Sequence, residues 1–375
     1  MSGIYLHIPF CKKACYYCDF HFTTNLSKVT QLTEAICKEI IIRKNYLDKN
    51  STINSIYFGG GTPSLLTAKQ LHQILEIIHN NFKVSKNAEI TLEANPDDLN
   101  TKKLKDLKLE GINRLSIGIQ SFQDERLQWM NRSHNAFEAI NVVNNARKAG
   151  FEQLSIDLIY GLPDQNHQAF LYDLEKAISL DTAHISAYCL TIEPRTVFGH
   201  RKRKGELKEL DEDIAAEQFE MLVEKLEESG YEQYEISNFA QAGKYAVHNT
   251  AYWQHVPYLG IGPSAHSFNR NSRQFNVANN HKYLHAITEE KPLFEIEHLT
   301  VEQQINEYIM TSLRTKWGYD GEKILSQYGF DIFKEKANLI DQLSIHELIK
   351  IEAHMIFLTK KGRLQADWVA GELFI

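Results

Sequence analysis

Three cysteines fall within eight residues, Cys11-Lys12-Lys13-Ala14-Cys15-Tyr16-Tyr17-Cys18. With three and then two residues between them, their thiolates can converge on one soft metal centre. A structural zinc ion takes four protein ligands. A cubane cluster on three cysteines instead keeps one iron open for a substrate or cofactor. His7 and His21 are near enough in sequence to complete a Cys3His zinc site, so the loop alone admits both readings. The other two cysteines, Cys37 and Cys189, lie in apolar helical and strand contexts and read as buried inert thiols.

Further polar residues recur at fixed places in the pattern. They are Gly59-Gly60-Gly61-Thr62-Pro63, Glu93-Ala94-Asn95-Pro96, Gln120-Ser121, and Asp157 followed by Gly161-Leu162-Pro163. A triple glycine can be a plain turn, but it also lets backbone approach a ligand and offers amides to a carboxylate. Glu93 can be a solvated strand end or can hold an ammonium group or ribose hydroxyls. Asp157 sits in the run Leu154-Ser155-Ile156-Asp157-Leu158-Ile159, where a carboxylate among aliphatics needs a partner. Gln120 and Arg132 are ambiguous alone.

These residues must be positioned by the elements around them. Strand-like runs Ile4–Pro9, Ser55–Phe58, Glu89–Glu93, Arg114–Ile119, Gln153–Tyr160 and His184–Thr191 alternate with helix-period stretches Val29–Tyr46, Ala68–Phe82, Lys102–Glu110, Ala136–Ala149, Gln168–Leu180 and Glu212–Ser229. Six strand-then-helix units predict parallel strands with right-handed crossovers, in a doubly wound sheet or a complete or partial TIM-like barrel. The polar residues fall at or just beyond the predicted C-terminal strand ends, the face on which both folds build sites. The alternation stops near residue 230, which places a boundary there. Tyr231–Ser237 reads as a further strand. His200-Arg201-Lys202-Arg203-Lys204 reads as a solvated basic loop. His248-Asn249-Thr250-Ala251-Tyr252-Trp253 combines an imidazole with aromatic rings, a grouping that suits a flat metallated macrocycle but is more often ordinary packing. From Val301 onward a small helical and winged module is expected, ending in a strand over Ile351–Leu358 and a tight turn at Thr359–Gly362.

Composition narrows the function classes. The 375 residues carry 41 basic and 48 acidic side chains, a formal net charge of −7, which gives no overall footprint for nucleic acid or an anionic membrane. No long apolar run and no secretory pattern are visible, and an odd cysteine count with three in one loop fits a reducing compartment, so a cytoplasmic chain without a membrane anchor is expected.

The chain resembles the radical S-adenosylmethionine superfamily in its cysteine loop, triple glycine and Glu93. Within that superfamily, Tyr5-Leu6-His7-Ile8-Pro9-Phe10-Cys11, Phe58-Gly59-Gly60-Gly61-Thr62-Pro63, Glu93–Pro96, Gly118-Ile119-Gln120-Ser121-Phe122, Met130-Asn131-Arg132 and Asp157–Pro163 are similar to the oxygen-independent coproporphyrinogen III oxidase group. The resemblance implies a partial (β/α)6 barrel, which with the boundary read above spans residues 1–235 and leaves a smaller domain over 236–375 that carries the His-Asn-x-x-Tyr-Trp motif and the winged module. It also implies a [4Fe-4S] cluster on Cys11, Cys15 and Cys18, with S-adenosylmethionine surrounded by Tyr5, Tyr17, Gly60, Gly61, Thr62, Glu93, Gln120, Arg132 and Asp157. The oxidase itself has a further cysteine where this sequence has Phe20, and a longer arm before the cluster. The heme chaperone branch lacks both and carries the motif seen here at 248–253. That branch implies heme as cargo, respiratory heme proteins as acceptors, His248, Tyr252 and Trp253 as candidate heme contacts, and no oxidase turnover. Any touch on a membrane surface would then be transient and run through a protein partner.

Overall fold

The computed structural model describes residues 1–163, 166–292 and 294–375. Its first strand, β1 (Ser2–Ile8), is buried along almost its whole length, as a strand covered on both faces must be. Five more parallel strands follow in order: β2 (Ile53–Gly60), β3 (Val84–Ala94), β4 (Arg114–Gln120), β5 (Gln153–Tyr160) and β6 (His184–Cys189). Between them run α1 (Val29–Ile42), α2 (Ala68–Asn81), α3 (Thr101–Leu109), α4 (Asp124–Trp129), α5 (Ala136–Lys148) and α6 (Gln168–Ser179). Several starts are written locally. Thr67 with Gln70 and Asn135 with Glu138 form capping boxes for α2 and α5, and Asn100 caps α3. The result is the expected α/β, TIM-like (β/α)6 partial barrel, with its aliphatic core between the sheet and the helices.

After β6 come α7 (Val197–Arg203), α8 (Glu212–Glu228) and then β7 (Tyr231–Glu235) and β8 (Asn238–Gln241). A short helix, α9 (Val247–Trp253), leads into β9 (Tyr258–Ile261), β10 (His266–Phe268), β11 (Ser272–Asn276), α10 (Asn280–Thr288) and β12 (Phe294–His298). These strands extend the same sheet at both edges. β8 pairs antiparallel with β6, and β9 pairs parallel with β1, giving the order β12-β11-β10-β9-β1-β2-β3-β4-β5-β6-β8-β7. A buried ion pair fixes the β9 edge. Arg43, at the C-terminal cap of α1, bonds Glu39 at 3.1 Å and donates to the Gly260 carbonyl at 2.9 Å, while Glu39 accepts from the Gly262 amide and the Tyr283 hydroxyl.

A second apolar core gathers α11 (Val301–Leu313), α12 (Gly321–Tyr328), α13 (Ile332–Glu335), α14 (Ala337–Ile345), α15 (Lys360–Leu364) and α16 (Ala366–Glu372) around the small sheet β13 (Tyr319–Asp320), β14 (Ile349–Glu352) and β15 (Met355–Leu358). This is the helical and winged module, with one correction. The expected single strand over Ile351–Leu358 is a hairpin turning at Ala353, whose φ is 56°, and Thr359 caps α15 rather than opening a tight turn. A second correction concerns 200–204, which is mostly helix α7 and not a loop. Among the described residues no helix is long and apolar enough to cross a membrane.

Candidate functional site

β1 ends at Ile8 and releases the cysteine loop at the C-terminal end of the barrel. The loop is pinned from several sides. The Cys11 amide donates to Thr23, the Tyr16 amide to the Met130 carbonyl, and Asn131 Nδ2 to the Ala14 carbonyl at 2.7 Å. Lys12 is paired with Asp97 and Asp98, and Lys13 Nζ reaches the Arg132 carbonyl. Burial pushes the Cys11 thiol up to about 11 and Cys18 to about 12. Their thiolates therefore need positive charge nearby. The Thr62 hydroxyl donates to Cys11 Sγ at 3.4 Å and Arg132 Nη1 to Cys15 Sγ at 3.3 Å, which begins to supply it.

Both ring nitrogens of His7 are engaged within the protein, which leaves it no nitrogen for a Cys3His zinc site. His7 Nε2 engages the His21 carbonyl at 2.9 Å and its Nδ1 the Tyr5 hydroxyl, while His21 Nε2 engages Asn280 at 2.8 Å. Among the described residues no three His, Cys, Asp or Glu side chains are gathered to hold a single metal ion. A cubane offers each thiolate a separate iron, and the half-buried, donor-flanked thiols fit that group.

Beneath the loop lies a polar floor. Glu93 Oε1 accepts the Tyr57 hydroxyl at 2.7 Å and Oε2 the Gly60 amide at 3.2 Å. Burial, aided by Asp157, nevertheless raises its carboxyl to about 7. The glycine run behaves differently from expectation. Its amides do not stand open to a ligand, because Gly60 N is taken by Glu93 and Gly61 N donates to the Ile8 carbonyl at 2.9 Å. The glycines serve close packing instead. Gly60 has φ 104°, and a Cβ there would lie 2.7 Å from the His7 ring. At Gly61 a Cβ would lie 2.7 Å from the Phe10 carbonyl oxygen. That approach carries Thr62 onto Cys11.

Arg132 organises the far wall. Beyond Cys15 it donates to the Tyr17 hydroxyl at 3.3 Å, to Asn95 Oδ1 at 2.7 Å and to the Gly118 carbonyl. Its Nε is buried without a hydrogen-bond partner, an unmet donor of the kind a bound anion would satisfy. Gln120, at the end of β4, adopts φ 71°, a left-handed conformation costing a non-glycine residue about 1 kcal/mol. Asp157 accepts from Ser116 at 3.2 Å, and burial raises it to about 6. Asn95 joins the site although its residue type and position single it out for no role in the sequence. Its Nδ2 donates to Thr62 while its Oδ1 holds Arg132, so it joins the two donors that flank the sulfurs. Its place in the Glu93–Pro96 motif was the available signal. Cys189 corrects another expectation, since it is exposed at the end of β6 rather than buried, whereas Cys37 is buried.

His248 lies at the opposite, N-terminal end of the strands. Its Nδ1 meets the Ser55 hydroxyl at 2.9 Å, and its ring stacks on Tyr57 at 5.0 Å and faces Tyr5 at 6.3 Å. The Val247 and His248 amides both donate to Glu89 at 2.9 Å, which seats α9 against the middle of β3. Burial lowers His248 to about 4, so the ring is neutral at neutral pH. Tyr252, one turn later, is 44 % exposed and shares the neighbour Tyr258 with His248. Trp253 turns elsewhere, donating to Asn249 at 3.1 Å beneath the Arg314 guanidinium. Thus Tyr5, Tyr57 and Glu93 separate the cysteine end from the His248 end.

Six parallel strands in an open barrel, a three-cysteine loop after the first and a glutamate at the end of the third define a protein of the radical S-adenosylmethionine class, and the family model of the Radical SAM superfamily matches residues 5–177. The chain is 36 % identical to the heme chaperone HemW of Bacillus subtilis over 99 % of this chain and 98 % of that one. It is also 36 % identical to that of Lactococcus lactis, over 96 % and 94 % respectively. The structure of coproporphyrinogen III oxidase (HemN) from Escherichia coli, a radical SAM enzyme, superposes with a TM-score of 0.86 at 26 % identity, covering 100 % of this chain and 90 % of that one. The chain belongs to the HemW family of heme chaperones within the radical SAM superfamily.

Proposed function

We propose that this protein binds heme and delivers it to respiratory heme proteins from the cytoplasm, while holding a [4Fe-4S] cluster and S-adenosylmethionine. The observation that carries the reading is the end-to-end likeness to heme chaperones. Cys11, Cys15 and Cys18 would ligate the cluster. Tyr5, Tyr17, Gly60, Gly61, Thr62, Glu93, Gln120, Arg132 and Asp157 would surround the S-adenosylmethionine. When bound, the cluster supplies a low-potential electron and an open iron. The chain's own part is to balance charge. Arg132 and Thr62 offset the thiolates, and Glu93 can meet the ligand's cationic groups as a carboxylate. For heme, the Ser55 bond occupies His248 Nδ1 and leaves Nε2 as the nitrogen able to ligate iron, with Tyr252 and Trp253, which pack on each other, as further candidate contacts. We divide the chain functionally into the barrel, residues 1–235, and a C-terminal part, residues 236–375, that carries the heme motif and the winged module.

The second reading is oxidative decarboxylation of coproporphyrinogen III, favoured by the superposition on the E. coli oxidase. Phe20 stands, 71 % exposed, at the position where that reading calls for another cysteine. Anaerobic incubation of reconstituted protein with reductant, S-adenosylmethionine and coproporphyrinogen III separates the two. The chaperone reading expects no protoporphyrinogen by chromatography, and product over many turnovers would overturn it.

A further inference from the structure

Four polar side chains that the two proposed sites leave unused, Ser155, His184, Ser186 and Tyr234, are buried to within 4 % of complete enclosure. Ser155 and Asp157 alternate with the core aliphatics Leu154, Ile156 and Leu158, so they share the other face of β5. Parallel pairing sets His184 of β6 beside Ser155 and Ser186 beside Asp157. The side chains join into a line. Ser186 bonds Asp157, and Ser155 Oγ lies 3.4 Å from Ser186 Oγ and 2.7 Å from His184 Nδ1. His184 Nε2 lies 2.8 Å from the Tyr234 hydroxyl on β7. From there the line enters α9, where Asn249 Nδ2 donates to the Tyr234 oxygen at 3.1 Å and Asn249 Oδ1 accepts from the Trp253 indole at 3.1 Å. It thus runs from Asp157 to the His-Asn-x-x-Tyr-Trp motif.

Donor and acceptor chemistry gives this line a direction. Trp253 Nε1 can only donate, so the Asn249 amide oxygen faces it and the NH2 group faces Tyr234. The Ala246 backbone bonds the same phenol oxygen, so the phenol's own proton goes to His184 Nε2. Burial, with Arg114 nearby, lowers His184 well below its usual range, so its neutral ring carries its proton on Nδ1 and donates to Ser155. Ser155 then donates to Ser186, and Ser186 to the Asp157 carboxylate. Hydrogen bonds aligned head to tail polarise one another, so a load at one end is felt at the other. We propose that this line couples the two sites: a ligand that donates to Asp157 changes how firmly Asn249 and Trp253 are held, and with that the heme affinity at α9. This rests on the assignment above of Asp157 to S-adenosylmethionine and of Trp253 to heme. Ser155, His184, Ser186 and Tyr234 are positioning residues, which act through their neighbours. Coupling is reciprocal, so heme changes S-adenosylmethionine affinity by the same factor.

The test titrates heme into reconstituted holoprotein with and without saturating S-adenosylmethionine, and S-adenosylmethionine with and without heme. Reductant is left out so that neither ligand is consumed. Wild-type protein is expected to show a factor of about five or more in both titrations. Tyr234→Phe keeps the ring packed on Tyr245 and Trp317 and removes only the phenol oxygen, and Ser155→Ala breaks the line at another link. Each variant is expected to bind either ligand alone as wild type does and to lose the factor. Melting curves show which variants fold, and one folded variant suffices. Nitrogen NMR of the histidine rings is expected to find His184 protonated on Nδ1. A factor that persists in the variants, or a His184 proton on Nε2, overturns the proposal. So do equal heme affinities with and without S-adenosylmethionine in wild-type protein that binds both, an outcome that leaves the chaperone reading standing. Wild-type protein that fails to bind heme or S-adenosylmethionine overturns that reading, and the coupling with it.

Discussion

The two ends of the barrel differ in what their polar groups are arranged around, paired side chains at one and thiols and raised carboxyls at the other. At the N-terminal end Glu89 receives two α9 amides and faces Arg114, Ser55 holds His248, and Asn249 lies between Tyr234 and Trp253. At the C-terminal end three thiols are held half-buried, Arg132 Nε is unmatched, Gln120 is left-handed, and two carboxyls are pushed above their ordinary range. Buried polar groups cost free energy when unpaired. The first end is therefore a largely paired network, in which Arg114 Nη2 and the Thr250 hydroxyl still lack a partner, and the second is built around charge that the protein alone does not balance.

The largest effect should come from the cysteines. Cys11→Ala, Cys15→Ala and Cys18→Ala should each abolish a content of about four irons per chain and the absorbance near 400 nm, whereas His248→Ala should keep both. Iron assays on the four variants check this, and a cluster lost from His248→Ala would break the separation of the two ends.

Glu93 and Asp157 sharpen it through pH. Both bind protons more tightly folded than unfolded, so their contribution to stability falls as pH rises. The window runs from the ordinary values, 4.5 and 3.8, to the raised ones, about 7 and about 6. In denaturant titrations of cluster-free protein, Glu93→Gln should flatten that decline by at most about 3 kcal/mol and, in the reconstituted protein, weaken S-adenosylmethionine binding. An unchanged pH profile would contradict the buried-charge account.

Much of the upper end was legible in the sequence because its signals are local. The cysteine spacing, the glycines before Thr62 and Glu93 at a strand end each follow from a few adjacent residues. The rest depends on long-range partners. Asn95 matters because it meets Thr62 and Arg132, 33 and 37 residues away. β9 becomes the neighbour of β1 only through pairing across most of the chain. Helix α7 is seven residues long, too short to show a period against its basic composition, and the β14–β15 hairpin turns at a non-glycine Ala353 that carries no turn signature.

Smaller effects test the lower end. His248→Ala removes the Ser55 bond and the Tyr57 stack and should cost about 1–3 kcal/mol. Tyr252→Ala, at a half-exposed ring, should leave stability within about 0.5 kcal/mol while weakening heme binding. Thermal melts beside heme titrations read both, and a Tyr252→Ala protein as unstable as His248→Ala would erase the distinction. Ser55→Ala should cost about 1 kcal/mol, the smallest of the stability losses expected here.

The most direct measurement is an equilibrium heme titration of the reconstituted wild-type protein, followed by the Soret band and by transfer to a heme-free respiratory acceptor. The account predicts saturable binding, a cluster that stays intact throughout, and heme appearing on the acceptor. Heme that binds without saturation, or that saturates but never leaves, would contradict it.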